Sequence, residues 1–108
     1  MNPTLEEVLI SVWQQVLVNQ AKIVNVRGQN FPVKLTSRSR FREVDFECEG
    51  RTIRGVEQNP NTSSNWATLA RQGKKVMQFL SGAHYLANVV DGKVCFYERK
   101  DKMNSSPF

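Results

Sequence analysis

Between Arg42 and Glu49 every second side chain is apolar. Val44, Phe46 and Cys48 alternate with Glu43, Asp45, Glu47 and Glu49. A period of two fits a strand with one dry face and one acidic face; a helix would scatter the three apolar groups around its axis. Gly50 follows, and an extended pattern resumes from Arg51 to Val56. A two-residue turn at Glu49-Gly50 then makes a tight hairpin. Its register sets Phe46 opposite Ile53 in the core and Asp45 opposite Arg54 on the wet face. The chain is thereby committed to an antiparallel sheet with one side toward water.

More strands follow from the same reasoning. Lys22 to Leu35 reads as two short strands around Gly28-Gln29-Asn30, with Phe31, Val33 and Leu35 on one side of the second. Pro32 marks that strand as an edge or a strand start. Thr36 to Arg40 reads as a polar loop. Lys75 to Leu80 turns at Ser81-Gly82 and returns as Tyr85 to Val90. Asp91-Gly92 is a strong hairpin signal, and Lys93 to Glu98 closes a meander with Val89 facing Val94 and Ala87 facing Phe96.

Two segments are helical in pattern. Thr4 and Glu7 have capping-box spacing, so a helix is predicted over about Thr4 to Asn19. Leu5, Val8, Leu9, Val12, Trp13 and Val16 form its stripe, and Ile10 and Leu17 widen it. The resulting apolar arc of roughly 200° exceeds what one buried face requires. It fits either a deep groove in the same domain or a face that meets another chain. After the turn-rich loop Gln58 to Asn65, a short helix runs from Trp66 to Gln72 and stops at Gly73. The expected class is α+β. An N-terminal amphipathic helix packs on a curved antiparallel sheet or small barrel of about six to seven short strands, with a short helix near 63–72.

At 108 residues the chain makes one domain, read as 1–99, with 100–108 an unpatterned, disordered tail. No run of about 18 apolar residues and no leader pattern is found, which predicts a cytoplasmic protein without membrane attachment. Cys48 and Cys95 form no CxxC pair. With His84 the only histidine, neither a metal nor another cofactor is expected.

The net charge of +5 is unevenly spread. Residues 22–42 carry six bases and no acid, whereas 43–57 carry five acids against two bases. No catalytic residues are assigned. His84 has no evident orienting partner, the strip Glu43, Asp45, Glu47, Glu49 reads as a solvated face, and Thr62-Ser63-Ser64 reads as a helix start. The chain therefore reads as a non-catalytic protein-interaction or regulatory module. Its partner, a second protein or a second copy, would meet Ile10, Trp13 and Leu17. The alternative is binding of RNA or single-stranded nucleic acid, with Arg38, Arg40 and Arg42 on phosphates and Phe31 or Phe41 stacked on bases. A small enzyme or ligand carrier using the acidic strip is the third reading.

The segments EQNP (Glu57 to Pro60), WATLARQGKKVMQF (Trp66 to Phe79) and VVDGKV (Val89 to Val94) resemble those of a group of short, functionally uncharacterised cyanobacterial proteins. The resemblance covers about half the chain. It implies a bacterial cytosolic protein and brings no catalytic residues with it.

Overall fold

The computed structural model of the chain describes residues 2–37 and 41–96. Helix α1 spans Leu5–Val12, and its start is the capping box read from sequence. The Glu7 amide donates to Thr4 Oγ1 at 3.2 Å, and the Thr4 amide donates to Glu7 Oε1 at 2.9 Å. The amide at Thr4 and the Arg27 guanidinium, 2.7 Å away, hold the Glu7 carboxyl below the usual carboxylate range.

The expected single helix to Asn19 changes character half-way. Trp13–Val18 is a π-helical segment that continues α1. A π turn takes one more residue than an α turn, so it rotates the face presented to the core. That rotation puts both Val16 and Leu17 inside. Just past its end Gln20 takes φ +60° while its amide closes on the Val16 carbonyl at 3.0 Å.

Strands β1 (Ile23–Val26) and β2 (Gln29–Pro32) form a separate two-stranded hairpin. Its turn is Arg27-Gly28, both at positive φ, rather than Gly28-Gln29-Asn30. Pro32 has no N–H, and the Val33 amide points back to the Lys22 carbonyl at 3.3 Å. The chain therefore breaks at Val33 and starts a new strand, β3 (Lys34–Ser37), which joins the end of the expected strand, Lys34 and Leu35, to the start of the expected loop, Thr36 and Ser37. The break also separates the expected apolar row: Phe31 is buried, and Leu35 is exposed.

From β3 the chain runs as an antiparallel meander of neighbours: β4 (Arg42–Cys48), β5 (Arg51–Glu57), β6 (Val76–Ser81), β7 (His84–Val90) and β8 (Lys93–Phe96). The registers at both hairpins are those read from sequence: Phe46 with Ile53, Asp45 with Arg54, Val89 with Val94, Ala87 with Phe96. The β6–β7 turn lies at Gly82-Ala83, one residue later than expected. Phe79 pairs with Ala87 but Leu80 with Tyr85, so Leu86 is an extra residue on β7. This bulge lets Leu86 and Ala87 both enter the core. The six-stranded sheet does not close into a barrel; β3 and β8 are its edges.

The sheet is covered on one face and over part of the other. Val44, Phe46, Ile53, Met77, Phe79 and Val89 point inward to the buried stripe of α1 and to Val24, Val26 and Phe31 of the first hairpin. On the opposite face, α2 (Asn65–Arg71) lays Trp66 and Leu69 over Val76, Val90 and Cys95. Alternation explains the division, because Val76 and Val90 neighbour Met77 and Val89. Buried Asn88 holds α2 in place: its carboxamide oxygen accepts from the Trp66 indole N–H at 2.8 Å and from the Tyr85 hydroxyl. Helix α2 stops in a Schellman arrangement, with Gly73 donating to Ala70 and Lys74 to Leu69.

Cys48 is buried in the inner core and Cys95 packs beneath α2, both as free thiols. Burial pushes the Cys48 thiol up, with neighbouring Glu49 adding to the shift. That keeps it protonated and unreactive. Among the described residues no helix is long and apolar enough to cross a membrane.

Candidate functional site

The residues expected to meet a partner do not form a free face. Leu17 is 2% exposed and belongs to the inner core. Trp13 is half-buried against the same core, and its indole N–H donates to the Lys75 carbonyl at 2.9 Å. Ile10 alone of the three keeps partial exposure without such an anchor. The wide apolar arc is thus filled by the domain itself, because the π turn rotates its far edge inward.

The nucleic-acid set is also divided. Phe31 is 6% exposed and packs in the core, so its ring has no face to offer a base. Arg42 is committed inside the domain: Nη1 donates to the Leu17 carbonyl at 2.8 Å and lies 3.9 Å from Glu57. It thereby caps the end of the π-helical segment. Phe41 remains half-exposed. Arg38 and Arg40 lie outside the described residues, as does the tail 100–108.

His84 is exposed at the start of β7. Thr62-Ser63-Ser64 is consumed locally, since Ser64 Oγ caps α2 by accepting from the Ala67 amide at 3.0 Å. Arg71 fastens the preceding loop through the carbonyls of Pro60, at 2.7 Å, and Thr62, at 3.1 Å. Among the described residues no group of three or more His, Cys, Asp or Glu side chains could hold a metal ion.

The acidic strip has more structure than a solvated face. β3 pairs with β4 only as far as Lys34 opposite Asp45. β4 runs on through Phe46, Glu47 and Cys48, which pair with β5 on one side and have no strand on the other. β2 passes beside this stretch without joining its ladder. The gap between them is a cavity of about 520 Å³. That is within the roughly 300–1,000 Å³ range of ligand sites.

Phe31, Pro32, Val33 and Phe46 give this notch an apolar wall. Asp45, Glu47 and Lys34 supply its charges, and Gln29, Asn30 and Thr52 its neutral polar groups. Asp45 is already held by Arg54, Nε to Oδ1 at 3.0 Å. Glu47 is exposed. Asp45 is engaged by Arg54, and the lining holds no histidine beside Thr52 or Glu47. The arrangement is suited to recognition. Of these residues, sequence reading singled out the acids, and Phe31 for another role, but missed Gln29, Asn30, Lys34 and Thr52. The notch exists because the chain breaks at Val33, and no local pattern announces that.

No family model, no curated protein and no solved structure matches this chain.

Proposed function

We propose that the chain is a non-catalytic protein-interaction module that takes an extended segment of a partner protein at the end of β4. The observation that carries this reading is the short run Phe46 to Cys48, unpaired along one edge and bordered by a cavity. On that open edge Glu47 turns its amide and carbonyl toward the gap, and an added strand satisfies them. A segment lying there continues the line of β3. Its side chains alternate between the two sides of the sheet. One side offers Glu47 and Thr52 and favours a lysine or arginine; the other meets half-buried Val33 above the core rings of Phe31 and Phe46 and favours a small apolar group. A cytoplasmic setting accords with two unpaired thiols.

The test is a titration of the isotope-labelled protein with a capped pentapeptide alternating valine and lysine, followed by amide chemical shifts and amide exchange. Shifts confined to Gln29–Lys34 and Asp45–Thr52, with slowed exchange at Glu47, are expected, because Phe46 and Cys48 already bond to β5. Glu47→Lys should abolish them while leaving the fold intact. Absence of any shift at millimolar peptide, or shifts indifferent to Glu47→Lys, would overturn the reading.

A further inference from the structure

A second cavity lies at the far end of α2, on the opposite face of the sheet from α1. It measures about 230 Å³. Phe41, Pro60 and Ala70 are its apolar lining, and Gln58, Lys74 and Lys75 its polar rim. Sites that enclose a whole small-molecule ligand run to roughly 300–1,000 Å³. This one is smaller, which fits a single unit of a longer ligand.

The charge at its mouth points to the kind of ligand. Glu57 lines the cleft but is held by Arg42, whose amide donates to Oε1 at 2.9 Å. Asp91 lies nearby, with Oδ2 3.9 Å from Lys74 Nζ and Oδ1 accepting from the Lys75 amide at 2.9 Å. Lys75 is exposed, and no acid pairs with its ammonium among the described residues. Its backbone is clamped on both sides: the amide is held by Asp91, and the carbonyl receives the Trp13 indole N–H and the Asp91 amide. A fixed backbone holds the root of the ammonium group in place, so less freedom is lost on binding.

An aromatic wall, a proline and two adjacent lysines at the rim match a flat ring linked to anions on either side. Phe41 also closes the acid-free basic stretch of residues 22–42. We infer that this cleft receives one nucleotide of a single-stranded nucleic acid, its base against Phe41 and its flanking phosphates on Lys74 and Lys75. Stacking on an aromatic face is tolerant of sequence, and lysine contacts to phosphate act as point charges. The ligand class is therefore single-stranded nucleic acid without strong base preference. This site is separate from the β4 notch, and neither reading depends on the other.

The test is fluorescence anisotropy with a labelled oligouridylate of about ten nucleotides, long enough to cover one such site. Measurements run from about 50 to about 200 mM salt, where phosphate contacts show themselves. Binding at low salt is expected. Phe41→Ala, and Phe41→Leu as the variant that keeps apolar volume, should each weaken it about tenfold or more. The double variant Lys74→Ala/Lys75→Ala should flatten the salt dependence by about 1.4 in slope. A duplex of the same length should bind far more weakly, because its bases are not free to stack. No binding at low salt, equal affinity for the duplex, or an affinity indifferent to both Phe41 variants would overturn the inference.

Discussion

At the scale of single residues, Gly55 shows how tightly the inner core is closed. It sits on β5 opposite Phe79, and a Cβ there would lie 2.8 Å from Phe79 Cε1 and 2.9 Å from Met77 Sδ. Both neighbours are fully buried, so neither has open space to move into. The Phe79 ring is further fixed edge-on against Phe46, with centroids 6.2 Å apart. Gly55→Ala is expected to destabilise the domain by about 1–3 kcal/mol, the usual cost of overpacking. A urea denaturation midpoint measures it, and an unchanged midpoint would show that the core has slack. The sequence placed Gly55 in a strand but gave no sign that its missing side chain makes room for a ring.

At the scale of elements, Gln15 joins the helical segment to the first hairpin. Its Nε2 donates to the Asn25 carbonyl at 2.9 Å, and its Oε1 accepts from the Asn25 amide at 3.1 Å. One side chain thus occupies the open edge of β1 as a neighbouring strand would. Gln15→Ala should leave the helix intact, cost about 0.5–1.5 kcal/mol in stability and speed amide exchange at Asn25. Equal exchange in variant and parent would show that water replaces the contact without loss. Legibility at this scale is divided. The two tight hairpins around Gly50 and Gly92 stood out in sequence because turn chemistry and alternation agree there. The π turn, the break at Val33 and the Leu86 bulge did not. Each is one residue out of register, and each is favoured by packing from elsewhere in the chain.

At the scale of the whole molecule, helix α1 and the first hairpin cover one side of the sheet, and α2 covers part of the other. The apolar arc of the first helix needs no second chain to bury it. Light scattering should therefore give a mass of one chain, 12.4 kDa, at both low and high salt in the absence of ligand. A stable dimer would instead direct attention to the exposed apolar residues Val18, Ile23 and Leu35, with Ile23 the most open at 56%. Long-range pairing also gathers what lies far apart in sequence. The basic stretch that ends near Phe41 meets Lys74 and Lys75 only because β4, β5 and β6 are neighbours.

The sequence by itself determined the class of the fold, the registers at Glu49-Gly50 and Asp91-Gly92, the capping box at Thr4 and the stop at Gly73. All rest on neighbours a few residues apart, where periodicity and backbone preference act directly. Only the tertiary structure decided that Leu17 and Phe31 are internal, that Arg42 caps a helical end, and that the end of β4 has a neighbouring strand on one edge only. Those outcomes depend on which surfaces meet across the sheet, and burial against a distant partner overrides local pattern wherever the two disagree.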